Sequence, residues 1–174
     1  MKSPNKFILR EKKIWVAGHN GMVGKAIVEK LKKIKCKVLT EEKKNLNLVD
    51  QNLTFDWIKK NKPDVVFIAA AKVGGIMANK KDQTNFLYNN LMIQNNIIKA
   101  AAENNVKKLI FLGSSCIYPK VTKQPIKETE LLKGYLEDTN EGYAIAKIAG
   151  LKLCSYYNKE HNKNFISVMP TNLY

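Results

Sequence analysis

The sequence predicts a parallel, doubly wound α/β sheet, and three observations predict it. Five short apolar runs recur along the chain, helical patterns fill the intervals, and a glycine-rich turn joins the first run to the first helix. Strands that alternate with helices give a parallel sheet, because a parallel crossover needs a long connection. The runs are "KIWVA" (13–17), "CKVLT" (36–40), "DVVFIAA" (64–70), "KLIFLGS" (108–114) and "FISVM" (165–169). They are rich in Val, Ile and Phe and barely alternate, as strands covered on both faces do.

The intervals read as helices in turn. "MVGKAIVEKLKKI" places Val23, Ile27, Leu31 and Ile34 on one side. "QNLTFDWIKK" follows Asp50, a natural N-cap, and ends before Pro63. A third helix, long and apolar over much of its circumference, spans roughly 82–105; a fourth runs from about 140 or 141 to 161. The segment 115–140, with Pro119, Pro125 and Gly134, is the longest irregular stretch, and loops of that length are commonly functional. Residues 1–12 read as a polar extension and 13–174 as one domain.

The composition narrows the classes of function. A chain of 174 residues that is 45% hydrophobic and 26% charged can bury a core. No apolar run approaches the roughly 20 residues that span a bilayer, and the basic start lacks a secretory apolar stretch, so a cytoplasmic protein is expected. Cys36, Cys116 and Cys154 form no CxxC motif and read as reduced thiols. With only His19 and His161 present, no cluster has metal-ligand spacing, and no metal is expected. The net charge of +15 suggests nucleic acid, but Arg10 is the only Arg. The lysines are scattered, without the bidentate readers and aromatic platforms of such binders. A solvated basic surface is the reading adopted.

Two stretches carry chemistry. In "WVAGHNGMVGKAIVEKL", Gly18, Gly21 and Gly24 give the spacing GxxGxxG between a strand and a helix. Glycines there let a pyrophosphate approach the N–H groups at a helix start, where the dipole is positive. A tight turn alone would explain the triplet less well than its place after the first strand does. After the second run stands "TEEKKN", where an acid suits a ribose 2′-hydroxyl and a cation a 2′-phosphate. Glu41 and Glu42 followed by Lys43 and Lys44 leave that choice split, and a solvated turn is the bland alternative. In "EGYAIAKIAG", Tyr143 and Lys147 stand one helical turn apart. Chance gives about one Tyr-x-x-x-Lys in this composition, so the pair alone decides nothing. An adjacent ammonium is expected to stabilise the phenolate and lower the phenol's pKa.

The glycine turn, the pair Ser114–Ser115 after the fourth run and Tyr-x-x-x-Lys beyond it resemble the extended short-chain dehydrogenase/reductase family. "AGHNGMVG", "AAAKVGGI", "NNLMIQNNII", "FLGSSCIYPK", "TNEGYAIAKIAGLKLC" and "VMPTNLY" extend the likeness from about Lys13 to Tyr174. They point to the branch that epimerises C3 and C5 of GDP-4-keto-6-deoxy-D-mannose and reduces C4 with NADPH, giving GDP-L-fucose. The resemblance implies a Rossmann-like sheet and a catalytic set of Ser114, Tyr143 and Lys147, with Cys116 as one of two epimerisation acid/bases. It implies NADP(H) held by Gly18, His19, Asn20, Gly21, Met22, Val23 and Gly24 of the glycine loop. The second turn adds Lys43, Lys44, Asn45, Leu46, Asn47 and Leu48. Leu112, Gly113, Ser114, Ser115 and Lys147 follow, and then Pro170, Thr171, Asn172 and Leu173. It also implies a homodimer formed through the third and fourth helices.

Two departures from the family pattern stand out. Asn20 and Lys43 occupy places where that branch often has Arg, which weakens the expected preference for NADP. The branch's second acid/base, a His, and its substrate domain have no counterpart before Tyr174, so an N-terminal fragment, inactive alone, is expected. Rival readings are another nucleotide-sugar epimerase or dehydratase, a cofactor-binding subunit without activity, and a nucleic-acid binder. Outside the catalytic set, Cys154 is expected to pack in the core, His161 to meet solvent, and His19 to bond only backbone.

Overall fold

The computed structural model describes residues 7–171. Five parallel strands form one sheet: β1 (Lys13–Ala17), β2 (Lys37–Leu39), β3 (Val65–Ile68), β4 (Lys108–Leu112) and β5 (Phe165–Val168). Their spatial order is β2-β1-β3-β4-β5. The register pairs Trp15 with Leu39 on one side and with Val66 on the other. Chain order therefore reverses direction between β1 and β3, and in open α/β sheets ligands bind beyond the carboxyl ends of the strands at such a point.

Helices α1 (Met22–Lys32), α2 (Gln51–Asn61), α3 (Ile76–Lys81), α4 (Gln83–Glu103) and α5 (Glu141–His161) make the connections. Asp50 caps α2 by accepting from the Leu53 N–H at 2.9 Å, as its place in the sequence implied. The expected third helix is α4, and the short α3 before it was not expected; Asp82 adopts a non-helical conformation (φ −140°, ψ 39°) between the two. Its side chain accepts from Lys72 and Asn85 instead of continuing the helix. The irregular segment is ordered as three short 3₁₀ turns, at Ser115–Ile117, Glu128–Glu130 and Asp138–Asn140.

The core divides across the sheet. On one face Trp15, Val66, Ile68, Leu109, Phe111 and Phe165 pack with Ile58 of α2, Ile97 and Ile98 of α4, and Cys154 of α5. On the other, Ile14, Val16 and Val65 pack with Leu31 and its partly buried neighbours Ile27 and Val28 of α1. Coverage of both faces was expected for every strand, and β4 and β5 depart from it. Ile166 and Val168 are 40% and 38% exposed, because α1 covers β1 and β3 and, among the described residues, no helix covers the same face of β5. Val23, placed by its spacing on the core side of α1, instead faces the groove described below.

Candidate active site

Gly18 ends β1 with φ +85°, a conformation that a side chain would strain. A Cβ there would also lie 2.5 Å from the backbone nitrogen of Ala70. At Gly24 a Cβ would overlap the Gly18 carbonyl oxygen, so the first turn of α1 rests directly on the loop. Gly21 is the N-cap and has no side chain to bond the N–H groups of the first turn. Those groups remain open to an anion.

Above this loop lies a groove of about 780 Å³. Gly18, His19, Asn20, Gly21, Met22 and Val23 line it, as do Lys43, Leu46, Asn47 and Leu48 of the turn after β2. These are ten of the residues singled out from the sequence. Gly24 is buried and Lys44 and Asn45 are exposed, and none of the three lines the groove. Sequence reasoning missed the far wall, formed by Ala69, Ala70, Ala71, Lys72 and Val73 after β3 with Asn89 and Ile93 of α4. The signal was there: three small residues at the carboxyl end of a strand beside the crossover. Asn90 holds that wall in place, accepting from the Lys72 N–H at 2.8 Å and donating to the Lys72 carbonyl at 3.0 Å.

At the outer end of the groove, Glu41 accepts from Asn45 Nδ2 at 2.9 Å, from the Glu42 N–H at 3.2 Å and from Trp57 Nε1 at 3.2 Å. The Trp57 ring stacks on Trp15, 4.4 Å between centroids, and the buried Trp15 Nε1 has no partner. Glu42 accepts from Asn20 Nδ2 at 3.0 Å and meets His19 Nε2 at 3.3 Å. His19 was expected to bond only backbone; it engages a side chain because the glycine loop and the second turn approach each other here. Hydrogen bonds, from Asn45 and Trp57 to Glu41 and from Asn20 to Glu42, hold both carboxyls below their ordinary range.

The residues expected to be catalytic gather at the end of β4. Ser114 is extended, its Oγ accepting from the Cys116 N–H at 3.4 Å, which aims Cys116 back along the strand end. Lys147, only 3% exposed, donates to the Leu112 carbonyl at 2.8 Å. Its Nζ lies 4.8 Å from the Phe111 ring centroid and 5.6 Å from that of Tyr143. Two glutamines that sequence reasoning passed over set α5 in position. Gln83 accepts from the Gly142 N–H at 2.9 Å and donates to the Asp138 carbonyl at 2.7 Å. Gln94 donates to the Ala146 carbonyl at 2.5 Å. Gly150 allows this close approach, since a Cβ there would lie 2.6 Å from Phe111 and 2.8 Å from Gln94. The legible signal was Gly142, Ala146 and Gly150 at four-residue intervals.

The expected depression of the Tyr143 phenol is not what the structure gives. Burial pushes Tyr143 up to about 12, with the nearby Cys116 sulfur adding to the rise. Desolvation wins because the Lys147 ammonium points one donor at the Leu112 carbonyl and, among the described residues, makes no hydrogen bond to the phenol. Burial likewise lowers Lys147 to about 8, and it raises the Cys116 thiol against the opposing pull of Ser114 and Lys147. The ammonium thus acts on the thiol more than on the phenol. Leu112, Gly113 and Ser115 surround this cluster at the end of β4, and Pro170 and Thr171 follow β5. Asn172 and Leu173 lie outside the described residues. Cys154, as expected, is buried in the core, and His161 is exposed at the end of α5.

The glycine loop at the end of β1 and the Ser, Cys, Tyr and Lys cluster at the end of β4 lie on the same carboxyl edge of the sheet, with β3 between them, as in nucleotide-binding α/β folds. Residues 14–174 match the NAD dependent epimerase/dehydratase family, and the chain belongs to it. It is 52% identical to a GDP-L-fucose synthase of Sinorhizobium fredii over 168 residues, 97% of this chain and 54% of the relative. The GDP-L-fucose synthase of Escherichia coli strain K12 is 51% identical over 167 residues, 95% of this chain and 52% of its own length. Among solved structures, a GDP-mannoheptose C4 reductase from Campylobacter jejuni with NADP bound superposes with a TM-score of 0.91 at 41% identity, covering 94% of this chain and 52% of that one. The chain spans about half the length of the curated relatives it matches.

Proposed function

We propose that residues 13–174 are the cofactor-binding domain of an NADPH-dependent enzyme that converts GDP-4-keto-6-deoxy-D-mannose to GDP-L-fucose. In this reading the substrate domain lies outside these residues. The observation that carries it is one cluster at the end of β4, where the Cys116 N–H binds Ser114 Oγ at 3.4 Å and the buried Lys147 lies 5.6 Å from the Tyr143 ring. Identity above 50% to two GDP-L-fucose synthases supports the substrate.

The groove fits the cofactor: an uncapped helix start beside it can receive a pyrophosphate, and Gly18 and Gly24 let the loop pack tightly on α1 and the end of β3 beneath it. NADPH supplies the hydride that reaches C4. The chain's residues do the rest. Tyr143, kept protonated by burial, donates its hydroxyl proton to the oxygen forming at C4, while Ser114 donates a hydrogen bond to that oxygen. Lys147 holds the ribose and, titrating near 8, returns a proton toward the phenol. Cys116 removes a proton from carbon adjacent to the ketone and delivers one back. The protein acts as a homodimer through α4 and α5, where Tyr88, Ile145 and Tyr156 are exposed, and works in the cytoplasm. No helix among the described residues is long and apolar enough to cross a membrane.

Solvent deuterium exchange at C3 and C5, followed by NMR beside NADPH consumption, tests the division of labour. In the complete enzyme, Cys116→Ser is expected to suppress exchange more than reduction, and Tyr143→Phe to stop reduction while exchange continues. Equal loss of both in both variants overturns the assignment. Unchanged exchange in Cys116→Ser favours reduction alone, the activity named for the C. jejuni neighbour.

A further inference from the structure

We infer that the amino edge of the sheet, opposite the groove, is a docking surface for a bilayer rich in anionic lipid. The lysines are scattered along the sequence, but the fold gathers many of them. Parallel strands all start at one edge, and each connecting helix returns the chain to it. Lys13, Lys37 and Lys108 open β1, β2 and β4, and Lys12, Lys33 and Lys62 stand in the links before strands. Lys30, Lys32, Lys59 and Lys60 come from the last turns of α1 and α2.

Lysines stand beyond the carboxyl ends too, and the acids make the difference. There Lys72 pairs with Asp82, Lys120 with Glu137 and Lys133 with Glu130, and Glu41 and Glu42 lie close by the groove. At the amino edge Asp64 meets Lys107 at 2.6 Å, Glu11 meets Lys35 at 3.9 Å, and Glu103 and Glu160 turn to Lys99 and His161. Lys33, Lys37, Lys60 and Lys62 are exposed and, among the described residues, form no ion pair. Cations in a last helical turn offset the helix dipole, which accounts for Lys32 and Lys59 without any partner. It does not account for Lys13 and Lys37, which the register sets side by side on adjacent strands. Their mutual repulsion is relieved by an anionic surface.

The chemistry favours lipid headgroups over nucleic acid. Lys is a compact hydrated charge suited to a diffuse array of phosphates, whereas duplex readers use Arg forks, and Arg10 is the only Arg. Ile8, 67% exposed in the segment that leads to β1 along this edge, supplies an apolar side chain for the headgroup layer. Docked in this way, the chain keeps its groove open to solution.

The test is co-sedimentation of the purified chain with phosphatidylcholine vesicles carrying about 30% phosphatidylglycerol, at about 0.1 M salt. Binding is expected there, and its loss is expected at about 0.5 M salt and with phosphatidylcholine alone. Lys33→Gln, Lys37→Gln, Lys60→Gln and Lys62→Gln together are expected to weaken it about a hundredfold. Lys80→Gln, Lys81→Gln, Lys123→Gln and Lys127→Gln remove the same charge from exposed positions beyond the carboxyl ends, and should weaken it less than about threefold. Thermal melts show that both variants are folded. Wild type that stays in the supernatant with anionic vesicles overturns the inference. Equal weakening in the two variants also overturns it, by making net charge alone responsible. Tighter association with duplex DNA than with vesicles of equal phosphate concentration overturns it in favour of nucleic acid. None of these outcomes bears on the reaction proposed above.

Discussion

At the outer end of the groove, Glu41 and Glu42 keep their charge in contact with water and with several polar donors. At the end of β4, Lys147 and Cys116 carry titratable groups into apolar surroundings, and Lys147 has a single carbonyl as hydrogen-bond partner. The same sheet edge thus offers a binding region whose charges are settled and a reactive region whose charges are held at a cost. Binding needs a fixed shape and a fixed potential. Proton transfer needs groups whose protonated and deprotonated forms lie close in free energy near the working pH, and burial brings the lysine there.

The largest effect is expected in the binding region, where its parts rest on one another through backbone alone. Gly24 touches the Gly18 carbonyl, and Gly18 touches Ala70, so loop, helix and the far wall of the groove are in direct backbone contact. Gly24→Val has no space to occupy and is expected to destabilise the chain by about 4 kcal/mol or to abolish folding. A urea melt gives the answer. A variant of near wild-type stability that still binds nucleotide would show the loop to be independent of the helix.

How much of this was legible follows the same division. The glycine loop, the Asp50 cap and the five strands were readable because backbone geometry restricts which residues serve, and spacing records the restriction. Tyr143 and Lys147 were readable as a pair but not in their ionisation. That depends on Phe111, Leu112 and the close packing of α5 on Gln94, contacts made across more than thirty residues of chain. The start of α4 at Asp82 was readable, whereas α3 was hidden because six residues are too few to show a helical period. The wall at Ala69–Val73 was written in small residues that say nothing until the strand order puts them beside Gly18.

A smaller effect separates the regions more sharply. Removing the buried ammonium by Lys147→Met is expected to stop catalysis in the complete enzyme and yet stabilise this chain. The folded value of about 8 lies below the ordinary 10.5, so the unfolded chain binds the proton more tightly. That difference corresponds to about 3 kcal/mol of destabilisation below pH 8, and losing the Leu112 bond offsets about 1. Lys147→Met should therefore be about 2 kcal/mol more stable at pH 7. The wild type gains stability as pH rises from about 8 to 10.5, so the gap should close over that interval. Urea melts at several pH values measure it. A variant less stable at pH 7, or a gap that widens with pH, would place the ammonium among the stabilising contacts and erase the contrast.

The smallest effect is expected from Glu42→Gln. Its carboxylate binds Asn20 and His19, which at first sight should tie the glycine loop to the second turn as Lys147 ties α5 to β4. The difference is solvent. Glu42 is exposed, so water replaces each lost contact and salt screens what remains. Its pKa lies below the ordinary 4.5, chiefly through the Asn20 hydrogen bond. The stability it contributes is present above that value and is lost as pH falls through the lower folded one. At pH 7 the melting temperature of Glu42→Gln should lie within about 1 °C of wild type, and the difference should vanish as pH falls below the carboxylate range. Calorimetry at pH 7 and at acid pH checks both statements. A drop of several degrees at pH 7 would show that the carboxylate braces the loop despite its exposure, and the groove would then depend on charge as heavily as the reactive end does.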